Sequence, residues 1–139
     1  MKYWDSSALI PLFVNQTDSE GRMALLREDS QVITWWGSRV ECASALGRLH
    51  REGSLDEEGH AQALGNLEAF YDTCAEVLPS EELRKRAMRL LRVHALHAAD
   101  ALQLAASLLA AREDPASLAL VTSDDQLKSA AQREGFVVL

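Results

Sequence analysis

The sequence predicts an α/β domain: a parallel sheet with helices on both faces. Three observations carry the prediction. Strand-like and helix-like segments alternate along the chain, the order that builds parallel sheets. The strands are short and apolar on both sides, as strands between two helical layers must be. The chain has 139 residues without a Pro/Gly-rich linker or repeat, so residues 1–139 form a single domain.

Each element has a local reason. Lys2 to Trp4 is a strand ended by Asp5-Ser6-Ser7, and Ala8 to Val14 continues as one or two apolar helical turns. Thr17 or Asp18 caps a helix through Leu26. Gln31 to Thr34 is a second strand with β-branched residues. Ser38 opens a helix through Arg51, with Val40, Ala43, Leu46 and Leu49 near helical spacing, and Gly53 stops it. Leu55 to Asp72 is another helix, Glu76 to Leu78 a third strand, and Pro79-Ser80 starts a helix to about His94. Ala98 to Arg112 is an apolar helix broken by Asp114-Pro115. Leu118 to Val121 is a fourth strand, Thr122 to Asp125 leads into a helix ending at Gly135, and Phe136 to Val138 is a fifth strand.

Composition narrows the function. Fourteen Lys and Arg against 21 Asp and Glu give a net charge of −7, which excludes a general basic coat for nucleic acid. Any RNA or DNA contact must use a local patch. Cys42 and Cys74 form no C-x-x-C pair, so a reducing, cytoplasmic setting is expected. The run Ala8 to Val14 is short, follows Asp5 and lacks a cleavage site, so it is not read as a signal peptide. Val93 to Ala111 nearly has the length of a membrane span, but Asp100 in its middle would cost about 3 kcal/mol in a bilayer. The segment reads as a buried helix, with no membrane association.

Ligands of parallel sheets bind at the carboxyl ends of the strands, near a switch point. Acids gather there in this sequence. Asp5 follows the first strand, Asp124 and Asp125 follow the fourth, and Glu41 lies one turn into the helix after the second. Three have an ordinary alternative: Asp5 and Asp124 as helix caps, and Ser38-x-x-Glu41 as a capping box. Asp100 does not, because Leu96, Ala99, Ala101, Leu102 and Leu104 surround it and Arg92 and Arg112 are too distant for i,i+4 pairing. It needs either a distant Arg or a polar pocket shared with the other acids. Converging carboxylates repel by about 4 kcal/mol per pair at 4 Å and an effective dielectric of 20. An all-oxygen site relieves this with a hard divalent cation, Mg²⁺ or Mn²⁺, which suits phosphate-ester chemistry.

These residues carry a resemblance. Tyr3-Trp4-Asp5-Ser6-Ser7-Ala8-Leu9 resembles the opening of a PIN-domain ribonuclease. Val40-Glu41-Cys42-Ala43-Ser44-Ala45-Leu46 is similar to that family's second motif, Ala99-Asp100-Ala101-Leu102-Gln103-Leu104-Ala105 to its third, and Leu120-Val121-Thr122-Ser123-Asp124-Asp125-Gln126-Leu127 to its fourth. Each motif is short; the four in order cover essentially the whole chain. The subgroup resembled is the VapC toxins of toxin–antitoxin pairs. The resemblance implies a PIN-like three-layer sandwich with a five-stranded parallel sheet of order 3-2-1-4-5. It implies an endoribonuclease using Mg²⁺ or Mn²⁺, with Asp5, Glu41, Asp100 and Asp124 as catalytic and metal-binding acids. Asp125 is a rival for the fourth place, and Ser7 and Thr122 match positions that hydrogen-bond an acid or the metal's water. The implied partners are an RNA substrate and a cognate antitoxin.

His94 and His97 lie three apart but lack a further zinc ligand, so they read as structural. His50 and His60 read as surface residues. Cys42 beside Glu41 reads as packing. No G-x-x-x-x-G-K or G-x-G-x-x-G loop is present. Arg84, Lys85, Arg86, Arg89 and Arg92 on one helix, and Arg39, Arg48 and Arg51 on another, are either solvated faces or phosphate contacts. Trp4, Trp35 and Trp36 with Phe13 and Val14 serve mostly as core; an exposed cluster of them would suit a homodimer or an antitoxin helix. A phosphoacceptor with Asp5 as nucleophile would want D-x-D, but Ser7 stands at the second place. An inactive PIN-like binding module would not be expected to keep all four acids.

Overall fold

The computed structural model describes all residues, Met1–Leu139. Its central sheet has strands β1 (Lys2–Trp4), β2 (Val32–Trp35), β3 (Ala75–Val77) and β4 (Ala119–Val121), all parallel, in the order β3-β2-β1-β4. The helices are α1 (Ser6–Leu9), α2 (Ser19–Glu28), α3 (Ser38–Arg51), α4 (Glu57–Tyr71), α5 (Glu81–Val93), α6 (Ala98–Ala110) and α7 (Asp125–Arg133). A 3-10 turn, Ile10–Leu12, with Pro11 inside it, takes up the rest of the apolar run after α1.

Two cores lie on opposite faces of the sheet, because neighbouring strand residues point to opposite sides. Tyr3 and Leu120 point into a core of 17 buried residues shared with α5, α6 and α7. Trp4 and Val121, the next residues along, point into a core of 11 shared with α1, α3 and α4. The alternation explains why both faces of each strand are apolar and why three layers form.

The fifth strand is a correction. The segment after Gly135 lies parallel to β4, with Leu120 and Thr122 donating to the carbonyls of Val137 and Leu139 and Leu139 donating to Leu120. It bridges only at Leu120–Val138. Gly135 takes φ +100 to turn the chain, and only a short extended stretch follows it, so the sheet has four strands rather than five.

The apolar segment is also divided. It breaks between α5 and α6, which are bent by 118° to each other, and no single helix is long and apolar enough to cross a membrane. Asp100 therefore stands in the first turn of α6, not in the middle of a long helix. The free amides and dipole of a helix start favour an acid at such a place.

Trp4 and Trp35 belong to opposite cores, so the tryptophans do not form one surface cluster. Trp36 is 51% exposed and packs edge-on against Trp35. Cys42 is fully buried, and burial pushes its thiol up to about 12, which bears out its packing role. His94 is buried at the end of α5 with Nε2 2.6 Å from Glu134, also a structural role.

Gly37 sets where α3 begins. A Cβ there would stand 2.3 Å from Nε1 of the buried Trp35 ring, so that ring or the backbone must shift. We expect Gly37→Ala to destabilise the fold by about 1–3 kcal/mol through overpacking, read as a lowered denaturation midpoint. An unchanged midpoint would show that the ring moves freely.

Candidate active site

The sheet order reverses between β1 and β4, so their carboxyl ends border the switch-point crevice. Asp5 leaves β1 there and Thr122 leaves β4. Asp5 is 2% exposed and caps α1, accepting from the Ser7 amide at 3.3 Å. The same oxygen, Oδ2, accepts from Thr122 Oγ1 at 2.9 Å and from Ser7 Oγ. Ser7 Oγ in turn accepts from the Ser123 amide, and Thr122 Oγ1 from the Asp124 amide, so the two strand ends are tied together.

The other oxygen is treated differently. Ser6 Oγ lies 3.3 Å from Asp5 Oδ1 and 2.7 Å from Glu41 Oε2, and it has one proton. The shorter contact claims that proton for Glu41. Oδ1 of a buried carboxylate is thus left short of donors while Oδ2 has three.

Glu41 does not close a capping box. Gly37 holds the cap position of α3, with no side-chain cap bond. Ser38 Oγ instead accepts from Gln103 Nε2 at 2.7 Å, and that amide nitrogen lies 3.3 Å from both Glu41 oxygens. Gln103 Oε1 accepts from the Tyr3 hydroxyl at 2.7 Å, which fixes the amide so that its NH₂ faces Glu41. Burial and then the nearby Asp5 and Glu41 push the Tyr3 phenol well above its ordinary value, so it remains a donor. Gln103, Ser6 and Tyr3 have roles that the sequence alone did not show. A lone amide in an apolar helix, three residues after Asp100, was the available signal for Gln103.

Asp100 is partly exposed, and no Arg folds onto it. Its one contact at salt-bridge range is the exposed His97, at 3.9 Å, an ion pair only when that imidazole is protonated. Burial, then Asp124, then Asp5 raise its carboxyl above the usual range. Asp124 caps α7 through Oδ1, accepting from the Leu127 amide at 2.7 Å. Asp125 is exposed and lines a different cavity, with Gln126, Ser129 and Arg133.

None of the four acids pairs with a Lys or Arg. Burial raises Asp5 against the hydrogen bonds of Ser7, Thr122 and Ser6. Burial also raises Glu41 against those of Ser6 and Gln103, and Asp5 and Asp100 add to the rise. In this side-chain arrangement no three His, Cys, Asp or Glu side chains stand close enough together to hold an ion. The donor chemistry nevertheless fits a hard divalent cation: oxygen only, mutually repelling, without a cation from the protein, and with a donor-poor oxygen on Asp5.

Three of the eight residues in the expected basic patches are paired within the protein. Arg39 pairs with Glu68 and lies over the Tyr71 ring, Arg84 pairs with Glu81, and Arg86 with Glu113. Arg48 has no such partner and lines a cavity with Ser6, Ser7 and Glu41.

The raised acids predict a pH dependence. Each of Asp5, Glu41 and Asp100 holds its proton more tightly folded than unfolded, so the stability it allows is full below the unfolded carboxylate pKa of about 4 and is lost as pH rises through the higher folded value. In EDTA, Asp100→Asn should therefore melt above wild type at neutral pH and lose that advantage in acid. A lower melting temperature at neutral pH would instead mark Asp100 as structural support.

No family model matches the chain. Two relatives in Mycobacterium tuberculosis, Ribonuclease VapC45 and Ribonuclease VapC49, are each 30% identical over 133 residues, covering 96% of this chain and 90% of theirs. The crystal structure of FitAcB from Neisseria gonorrhoeae superposes with a TM-score of 0.64 over 100% of this chain and 96% of that one; at 17% identity it supports the fold alone. With two relatives matched over nearly their full length, the chain belongs to the VapC ribonucleases of the PIN-domain family.

Proposed function

We propose that the chain is a metal-dependent endoribonuclease and the toxin of a toxin–antitoxin pair, with Asp5, Glu41, Asp100 and Asp124 as its site. The observation that carries the reading is the group of acids at the β1–β4 crevice without a basic partner. Asp124 is preferred to Asp125 because it is the one that acts electrostatically on Asp100. Mg²⁺ or Mn²⁺, when bound, would neutralise charge on the phosphodiester and acidify water. The chain's own residues do the rest. Asp5 offers Oδ1 while Ser7 and Thr122 hold Oδ2. Ser6 and Gln103 fix the Glu41 carboxylate. The α6 amino terminus holds Asp100 at the rim, and Asp124, bound through one oxygen to α7, keeps the other for the crevice. A cytoplasmic location and a homodimer belong to the same proposal; Trp36 and Val40, both exposed at the head of α3, offer apolar surface for a second copy.

Cleavage of RNA should need Mg²⁺ or Mn²⁺ and stop in EDTA. Asp100→Asn should lower the rate by about a hundredfold or more, the scale on which losing charge stabilisation at a reaction centre is felt, with the fold intact by circular dichroism. Titrating Mg²⁺ into metal-free protein should raise its melting temperature, less in Asp5→Asn and Asp124→Asn, and undiminished in Asp125→Asn. Full activity in Asp100→Asn would end the proposal for the site.

The toxin role has its own test. Expression of the chain alone should arrest growth, and co-expression of an adjacent small gene encoding the antitoxin should restore it. Harmless expression in every host tried, with no such neighbouring gene, would remove the biological role and leave the nuclease.

A further inference from the structure

One cavity shares a wall with the acid group. It has a volume of about 300 Å³ and is lined by Glu41, Ala45, Arg48 and Leu49 on α3 and by Ile10 across from them. The four α3 positions are spaced i, i+4, i+7 and i+8, which places them on one face of the helix. Glu41 and Arg48 are thus in line, about 10 Å apart along the axis at 1.5 Å per residue. Ala45 lies between the acid end and the basic end, and Leu49 and Ile10 add apolar side chains to the same cavity. Arg48 is exposed, forms no ion pair, and is the only Lys or Arg lining this cavity.

We propose that this cavity is a nucleotide subsite, in which Arg48 holds an RNA phosphate one or two nucleotides from the scissile bond and the apolar wall receives the intervening base. The inference rests on the ribonuclease reading and deepens it. A single strand bound along this face meets the acids at one end, a face for stacking or apolar contact in the middle, and a guanidinium at the other end. That sequence of contacts matches the repeating phosphate and base of single-stranded RNA. The guanidinium fork suits a phosphate better than a lysine ammonium would, because it presents paired donors. In a chain of net charge −7, one unpaired arginine beside the site supplies the local attraction that the composition as a whole denies.

Binding of a short labelled single-stranded RNA, in EDTA and over a range of salt, tests the subsite apart from the chemistry. Losing one phosphate contact should reduce the slope of log affinity against log salt by about 0.7 in Arg48→Ala. Arg51→Ala makes the same change in net charge on the same helix, outside the cavity, and should leave the slope as it was. In Mg²⁺, the loss in Arg48→Ala should fall on the half-saturating RNA concentration rather than on the saturated rate, with partial recovery in Arg48→Lys. Equal effects of Arg48→Ala and Arg51→Ala would overturn the proposal in favour of a diffuse charge effect. Unchanged RNA binding in Arg48→Ala with weakened binding of a protein partner would also overturn it, and assign the cavity to that partner. Wild-type protein that neither binds nor cleaves RNA would bring down the ribonuclease reading itself, a result separate from either.

Discussion

The site depends on keeping one carboxylate charged in a place from which water is almost excluded. Asp5 ends the central strand and is nearly fully buried. A buried charge left alone costs several kcal/mol, and a hydrogen bond to a charged group returns about 1.5–3 kcal/mol. The Ser7 amide, the Ser7 hydroxyl and the Thr122 hydroxyl therefore offset much of the cost, all through Oδ2. Their placement is specific. Two come from the helix after β1 and one from the end of β4, so meeting the needs of Asp5 also fastens the crevice in which it lies. The folded carboxyl still sits above its ordinary range, because the donors do not fully repay burial and Ser6, the one donor facing Oδ1, makes its shorter contact with Glu41.

A second arrangement supports Glu41. Tyr3, Gln103 and Ser38 come from β1, α6 and α3, and their hydrogen bonds join all three elements beneath the site. The amide orientation follows from Tyr3, whose phenol can only donate while protonated. Gln103 can then give hydrogens to Ser38 and Glu41 and not to the core. A polar chain of this kind inside an apolar layer contributes only when all its members are satisfied. Here each has a partner, and Glu41 gains an orientation that a flexible surface glutamate would not hold. Together the two arrangements store repulsion among acids at the rim of a stable fold, the trade expected where function and stability compete.

Much of the fold was legible because periodicity and strand-end chemistry are local. β1, the start and end of α3, the Ser80 cap of α5 and the Asp124 cap of α7 follow from short runs of sequence. The fifth strand was not legible as a bridge, since Phe136-Val137-Val138 has strand-like composition and pairing length is decided by the neighbouring backbone. The Ser38/Glu41 box failed for a similar reason: Ser38 found its partner on α6 and Glu41 found partners on α1 and α6, which no window on α3 contains. Asp100 was recognised for the wrong local reason. It stands at a helix start and partly in solvent, and to the partial burial that raises its carboxyl are added Asp124 and Asp5, which are distant in sequence. The acids themselves were visible because carboxylates after parallel strands are rare enough to ask for an explanation.

Charge shows most clearly why sequence counts mislead at a site. The basic run of α5 looks like the natural place for an RNA backbone, yet two of its arginines are held by Glu81 and Glu113. Arg39 on α3 is held by Glu68 and Tyr71. Exposed pairs of this sort contribute little stability, about 0–1 kcal/mol, but they compete with a phosphate for the same guanidinium. What matters for a polyanion is then the cations left unpaired beside the crevice, not their total. An acidic surface elsewhere repels stray nucleic acid and is screened over about 8 Å at physiological salt. On the proposed reading a strand is attracted only when it reaches the crevice itself, where the acids would take an external cation and Arg48 shares the Glu41 face of α3.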